Sequence, residues 1–284
     1  MRFRSFLSRF LILLLLFFAF PACACRAADS VECSASSAIL CHVSSGSVLY
    51  EKNADQRRPI ASTTKIMTAL TVLRRGGDLD RPFAIPPEAC GIEGTSVYLK
   101  PGETLSIRDL LYALLLQSAN DAATALALLC SGSIPAFADE MNRIAEQLGL
   151  RNTHFVNPHG LDHPEHYSTA RDLALIAAAA FEDVNFREMV STRRYSIPAP
   201  DGGRRFLTNH NKLLSRYPDC VGVKTGFTKK SGRCLVSAAE RDGVLLIFVT
   251  LNDPNDWNDH TLLLDYGFSL FFKPSDEKDL YKDE

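Results

Sequence analysis

Two short runs of β-type residues, Ser37–His42 and Ser47–Glu51, flank Ser44-Ser45-Gly46, and the pattern predicts a β-hairpin. After a turn at Pro59, Ser62 to Arg74 contains no Gly or Pro. Ile66, Met67, Leu70 and Leu73 recur there at helical spacing, so a buried helix is expected, with Ser62 at or near its first turn and Gly76-Gly77 as its stop. Residues 78–104 are rich in Pro and Gly and read as loop with short strands. Ser106-Ile107-Arg108-Asp109 then opens a second helix in a capping-box pattern, with Leu110–Leu116 as its apolar body. The Ala- and Leu-rich stretch to Leu129 would prolong that helix, but the polar cluster Ser118-Ala119-Asn120-Asp121 interrupts it, and two helices joined there are expected. Phe137–Leu148 and Ser168–Phe181 read as further helices, the second started by Ser168 or Thr169. Arg151–Tyr167 between them reads as polar loop.

From about Arg194 the period changes from helix to strand. Tyr195–Ile197, Cys220–Val223, Arg233–Ala239 and Val244–Leu251 are predicted strands, with turns at Asp201-Gly202-Gly203 and Asp242-Gly243, and Thr261–Phe272 closes as an apolar helix. Strands at both ends of a helical middle predict a mixed α/β fold. One antiparallel sheet is assembled from the two chain ends, helices lie on it, and a helical lobe spanning about residues 75–190 is inserted.

The first residues belong to a different kind of segment. Met1 to Arg9 is basic, Phe10–Phe20 is an unbroken apolar run, and Pro21-Ala22-Cys23-Ala24 supplies the small residues a signal peptidase reads. The run is well short of the roughly 20 residues that span a bilayer. Residues 1–24 are therefore expected to be a secretory signal peptide, 30–272 the globular domain and 273–284 a charged tail. The 284 residues, 46% hydrophobic and 23% charged, exclude disordered and low-complexity classes. The formal net charge of -2 conceals four arginines before residue 28, so the remaining chain is mildly acidic and has no basic stripe. Nucleic acid is not an expected partner. Six of the eight cysteines, Cys33, Cys41, Cys90, Cys130, Cys220 and Cys234, lie beyond the leader. Export would permit pairing, but no CxxC knuckle occurs and a chain of this length does not need staples, which favours buried free thiols.

Ser62-Thr63-Thr64-Lys65 sets a hydroxyl and an amine one helical turn apart on one face, where a lysine that is disfavoured as a cation can take the serine proton. The pattern alone is weak, since Ser275-Asp276-Glu277-Lys278 repeats it in the charged tail, where it reads as solvated. Ser118-Ala119-Asn120 occupies the helix break, and Lys224-Thr225-Gly226 follows the strand run Cys220–Val223, where Gly allows another backbone to approach. Lys230-Ser231-Gly232 has the same shape but sits in a polar turn. His154, His159, His163 and His166 crowd one loop, but without Cys or Asp on a fixed helical face they make a poor zinc set and are expected to pack or hydrogen-bond locally.

Ser-x-x-Lys, Ser-x-Asn and Lys-Thr-Gly in this order resemble the serine site of penicillin-binding proteins and β-lactamases. The surrounding Pro59–Thr68, Leu115–Ala123, Asn157-Pro158-His159-Gly160-Leu161, Tyr167–Asp172 and Gly222–Thr228 are similar to the serine-type D-alanyl-D-alanine carboxypeptidases, the low-molecular-mass penicillin-binding proteins, from about Ala38 to Phe272. The resemblance implies a β-lactamase/transpeptidase-like fold that acts on peptidoglycan stem peptides in the cell envelope or outside the cell, with β-lactams as inhibitors. No metal or organic cofactor is implied. Carried over, Ser62 is the nucleophile, Lys65 its base and Ser118 a proton relay. Asn120 would bind the substrate peptide, Lys224 and Thr225 the terminal carboxylate, and the backbone N–H groups of Ser62 and Phe227 beside Gly226 the oxyanion. Two departures are visible: Phe227 stands where some members have His, and no C-terminal amphipathic anchor follows Phe272, so no membrane anchor is expected. A β-lactamase would need a dedicated carboxylate, for which Asp162 and Glu165 are the nearby candidates. A silent wall-binding protein is disfavoured by the three intact motifs. Endopeptidase or weak transpeptidase action stays open.

Overall fold

The protein's computed structural model describes residues 31–272. The expected signal peptide and the charged tail with Ser275 and Lys278 lie outside the described residues. Strands β1 (Ser37–His42) and β2 (Val48–Lys52) form the expected hairpin, with Ala38 opposite Lys52. Ala61–Thr64 is one 3-10 turn that runs into α1 (Lys65–Arg74), so Ser62 lies in the tighter turn just ahead of the α-helix. A ribbon of β3 (Pro82–Ala84) and β4 (Thr104–Ser106) leads into α2 (Ile107–Leu115). The predicted capping box is present there: Asp109 N–H donates to the Ser106 hydroxyl and Ser106 N–H to the Asp109 carboxylate.

The helix break falls where the polar cluster predicts it, before α3 (Asn120–Ser131), and Ser118 takes a left-handed φ of 62° at the break. Next come α4 (Ile134–Gln147), capped by Ser133, and α5 (Ala170–Ala180), where the Thr169 hydroxyl accepts from Asp172 N–H. An additional helix, α6 (Val184–Ser191), stands where none is predicted. Asp183 caps it, and Phe186, Met189 and Val190 bury its inner face, a stripe too short to stand out beside the preceding apolar helix.

β5 (Arg194–Pro198) pairs with β6 (Arg204–Thr208). β6 escapes the sequence reading because its pattern is Arg-Arg-Phe with an exposed Phe206 and only Leu207 buried. After the single turn α7 (Leu213–Arg216), β7 (Cys220–Thr228), β8 (Gly232–Arg241) and β9 (Val244–Leu251) follow. β7 thus continues through Lys224-Thr225-Gly226 instead of ending at Val223. Last is α8 (Asp256–Ser269), which starts earlier than the predicted Thr261 because Asp256 and Asp259 suit the positive end of a helix although they look like turn residues.

The sheet order is β2-β1-β9-β8-β7, antiparallel throughout, with Ser37 opposite Leu251 where the two chain ends meet. Its central strand, β9, is apolar on both faces because α5 covers one and α8 the other. β7 lies at one edge of the sheet and packs against the Ala61–Thr64 turn, with Lys224 and Gly226 buried and Thr225 half-buried. All six cysteines among the described residues are free; Cys33, Cys220 and Cys234 are buried and the other three half-buried. Among the described residues no single helix is long and apolar enough to cross a membrane.

The closing contact is tight. A Cβ on Gly267 of α8 would stand 2.8 Å from Leu246 of β9 and 2.9 Å from Leu40 of β1. Gly267→Val should cost about 1–3 kcal/mol by lifting α8 from the sheet. Urea unfolding of the variant measures this, and a stability within error of the parent would show that the helix is not fixed at this distance.

Candidate active site

The hydroxyl of Ser62 and the amine of Lys65 meet at 3.1 Å, as one turn of separation requires. Lys65 is fully buried, and its Nζ also donates to Asn120 Oδ1 and to the His159 carbonyl, both at 2.7 Å. Burial drives its pKa well below the ordinary lysine value; the nearby Lys224 adds to the effect and Asp121 opposes it. A neutral amine has two N–H groups and one lone pair. Here the two N–H groups serve Asn120 and His159, and the lone pair remains for the Ser62 proton.

Asp121, also buried, does not reach Lys65 with a hydrogen bond. Its carboxylate accepts from the Ser96 hydroxyl and from the N–H groups of Val97 and Leu99, which ties the loop before β4 to the start of α3. Asn120 completes the same joint through Nδ2, which donates to the Glu93 carbonyl at 2.6 Å. Each end of the Asn120 amide is thus engaged once by protein, with one N–H and one lone pair left over for a further partner.

Backbone closeness fixes the nucleophile. A Cβ on Gly226 would lie 3.0 Å from Ser62 N, so only glycine lets the edge strand come this near the turn. On the other side Gly160, at φ 88°, puts its backbone against the Ala61 carbonyl, where an added Cβ would be 1.9 Å away. Ala61 itself is held at φ 47°, an unfavourable region for a residue with a Cβ. His166 secures that turn. Val156 N–H donates to its Nδ1, so Nε2 carries the proton and donates to Thr64 Oγ1, which in turn donates to the Ala61 carbonyl at 2.8 Å. Burial, then the neighbouring histidines, pull His166 down to about 3, so it stays neutral. His159 is drawn down to about 4 by burial and by Lys65. His154 bonds the Glu165 carbonyl and His163 accepts from Glu165 N–H, so the four histidines engage locally as expected. Asp162 and Glu165 are both exposed, and Asp162 accepts from Thr228 instead of aiming at Ser62.

Ser62, Ser118, Thr225, Gly226 and Phe227 line one cavity of about 480 Å³, and the exposed Phe227 forms its lip. Lys224 is 2% exposed and its Nζ donates to the Thr225 carbonyl. Burial lowers its pKa to about 7. Five of the eight residues singled out by sequence line this cavity; Lys65, Asn120 and Lys224 are buried, with Lys65 joining Ser62 to Asn120. What sequence reasoning missed are the supports: the His159 carbonyl, the His166–Thr64 bond, Asp121, and the far wall of Arg233, Asp256 and Trp257. The short Asn157–Leu161 motif was a signal for the first; a backbone carbonyl carries no residue-type signature of its own.

A serine against a buried lysine whose protonated form is disfavoured, a helix-break serine and an edge strand closing on the nucleophile define a serine acyl-transfer enzyme of the penicillin-binding fold. The chain belongs to the D-alanyl-D-alanine carboxypeptidase family, whose profile it matches over residues 24–255. It is 34% identical over 247 residues to the D-alanyl-D-alanine carboxypeptidase DacF of Bacillus subtilis, covering 84% of this chain and 63% of that relative, so it spans under two thirds of that protein's length. It is 38% identical over 244 residues to the D-alanyl-D-alanine carboxypeptidase of Streptomyces strain K15, covering 79% of this chain and 84% of that one. The crystal structure of the Streptomyces K15 DD-transpeptidase superposes with a TM-score of 0.79 at 35% identity, over 84% of this chain and 98% of that chain.

The buried Lys224 has a thermodynamic consequence. Between its folded pKa of about 7 and the ordinary 10.5, the unfolded chain binds a proton that the folded one does not. Lys224 therefore opposes folding most at pH 7 and below, and the opposition fades as pH rises toward 10.5. Lys224→Met should raise the unfolding free energy by about 1–4 kcal/mol at pH 7 and by much less at pH 10. Urea melts at the two pH values check this; an equal gain at both would mean that packing, not charge burial, is responsible.

Proposed function

We propose that this protein is an exported serine D-alanyl-D-alanine carboxypeptidase that removes the terminal D-alanine from peptidoglycan stem peptides and is acylated by β-lactams. The observation that carries the reading is the 3.1 Å contact between the Ser62 hydroxyl and a fully buried Lys65 amine whose protonated form is disfavoured. The reading of residues 1–24 as an export signal supports an extracytoplasmic site of action, where the substrate is.

Neutral Lys65 takes the Ser62 proton as Oγ bonds to the carbonyl carbon of the penultimate D-alanine. The developing oxyanion lies at the junction of Ser62 and Phe227, where their backbone N–H groups stabilise it. Gly226 favours this by keeping β7 against the nucleophile's turn. As the C–N bond breaks, the proton passes from Lys65 by way of Ser118 to the departing D-alanine amine. Water then attacks the ester and frees the shortened peptide. Thr225 on the cavity wall faces the leaving D-alanine, with Lys224 buried behind it and, when protonated, lowering the pKa of Lys65. A β-lactam opens on the same serine and leaves a slowly hydrolysed ester. The exposed positions of Asp162 and Glu165 speak against the dedicated water-activating carboxylate of a β-lactamase.

Mixing the protein with benzylpenicillin should give a single adduct by intact mass, located on Ser62 by peptide mapping and decaying slowly. Lys65→Arg, which keeps the charge but cannot accept a proton, should slow acylation by about 10²–10⁴-fold. The acylation rate of the parent should fall as pH is lowered, because protonating Lys65 fills its lone pair. Rapid decay of the adduct would point to a β-lactamase, and an adduct that survives Ser62→Ala would remove the nucleophile assignment.

A further inference from the structure

A second cavity, of about 520 Å³, lies beside the one that holds Ser62. The two meet at a ridge of adjacent residues: Thr95 and Ser118 line the catalytic cavity, while Ser96 and Gln117 line its neighbour. Two aromatic rings line this neighbour, Tyr98 at 76% exposed and Phe206 at 82%, the most exposed large apolar side chains among the described residues. Tyr98 sits at φ 58°, in the left-handed region that a bulky residue avoids. Its backbone is pinned on both sides. Tyr98 N–H donates to the Ser96 hydroxyl at 2.9 Å, and Arg205 Nη2 donates to the Tyr98 carbonyl at 3.1 Å. Ser96 is bound in turn to Asp121 of the catalytic joint. Arg205, on the strand that carries Phe206, is locked by a mostly buried ion pair with Glu103 at 2.9 Å. A ring left in water adds little to folding stability, so strained and braced backbone that keeps it there points to a ligand.

The rim of this cavity is polar. Gln117 Oε1 accepts from Thr208 N–H at 3.3 Å, and its Nε2 has no partner among the described residues. The exposed Lys100 and Asp201 add a donor and an acceptor. Flat apolar surfaces edged by donors and acceptors fit a sugar ring, whose axial C–H face lies on an aromatic ring while its hydroxyl and acetamido groups reach the edge. An apolar peptide segment would cover the same polar groups without pairing them. We infer that this cavity is a carbohydrate subsite, which takes the amino-sugar backbone of peptidoglycan while the attached stem peptide lies in the Ser62 cavity. The stem sets its sugar about four residues, roughly 14 Å when extended, from the scissile bond, a span that crosses the ridge. This rests on the carboxypeptidase reading and deepens it, because it distinguishes stem peptides still attached to glycan from free peptides.

The test uses the full chain and two probes that share the stem L-Ala-γ-D-Glu-L-Lys-D-Ala-D-Ala, one N-acetylated and one attached to GlcNAc-MurNAc, with kcat/KM measured on each. Ser62 and Lys65 serve both probes, so any general loss of competence cancels in the ratio. The disaccharide probe should be favoured about 5–50-fold, chiefly through KM. Tyr98→Ala and Phe206→Ala should each lower that preference about 3–10-fold, and the double variant should bring it near unity. GlcNAc-MurNAc without peptide should shift the amide signals of residues 96–100 and 204–208 in an NMR titration, with a Kd of about 1–10 mM. The double variant should lose those shifts. Equal kcat/KM on the two probes in the unmodified enzyme would overturn the inference, as would a preference that survives the double variant. A loss on the free peptide as large as on the disaccharide probe would assign the cavity to the stem peptide instead. A chain that runs as a dimer until Tyr98 and Phe206 are replaced would assign it to a second copy. Failure to cleave either probe or to form a penicillin adduct, with the sugar-induced shifts intact, would overturn the carboxypeptidase reading and leave the subsite standing.

Discussion

The rest of the structure depends on one fully buried amine that bonds no carboxylate among the described residues. A lysine cation taken fully out of solvent carries a desolvation cost far larger than any single hydrogen bond returns. The cost is avoided if the resting group is neutral. The two short bonds from Lys65 to Asn120 and to the His159 carbonyl suit either state, because a neutral amine donates twice and an ammonium three times. Only the third bond changes, with the proton moving between Ser62 and Lys65. Transfer along that contact needs no reorganisation of the anchors, which is what makes a preorganised base effective.

Holding such an amine explains why distant parts of the chain converge. The helix break supplies Asn120, the polar loop supplies the His159 carbonyl, and the late edge strand supplies Gly226 against the nucleophile's own backbone. The unfavourable conformations gather at these joints. Ala61 and Ser118 both take left-handed φ values within the site. Around Ala61 the constraint is visible atom by atom, as Gly160 presses on its carbonyl and Thr64 bonds it under the control of His166.

The fold was legible from period and punctuation wherever an element carried its own boundary signals. The capping box at Ser106, the polar break at Ser118–Asp121 and the long apolar run of β9 are local statements, and the structure bears them out. The misses have a common physical cause. Helix α6, strand β6 and the first turn of α8 draw their stability from what they pack or pair with, so their own residues look like loop. The same division holds in the site. Ser62, Lys65, Asn120 and Lys224 stood out by spacing and resemblance, whereas the His159 carbonyl and the Thr64–His166 bond emerge only once the chain is folded. Arg233 was passed over as the start of a strand, and its pairing with Asp256 spans 23 positions.

The three basic side chains around the cavity are divided by what their chemistry allows. An amine can lose its proton at neutral pH when buried, so lysine suits the positions where a proton has to move, and Lys65 and Lys224 occupy the dry side of the edge strand. Their closeness works in the same direction, since each added positive charge makes Lys65 a weaker cation and therefore a readier base. Asp121 would undo this if it paired with Lys65, but its carboxylate is taken up by Ser96 and the amides of Val97 and Leu99. A guanidinium can neither give up its proton nor be tuned to do so. It is of no use beside Ser62 and well suited to the wet wall, where the half-exposed Arg233 sits with its counter-ion buried behind it. The group that keeps its charge is thus paired with Asp256 on the open wall, apart from the buried amine whose proton has to move.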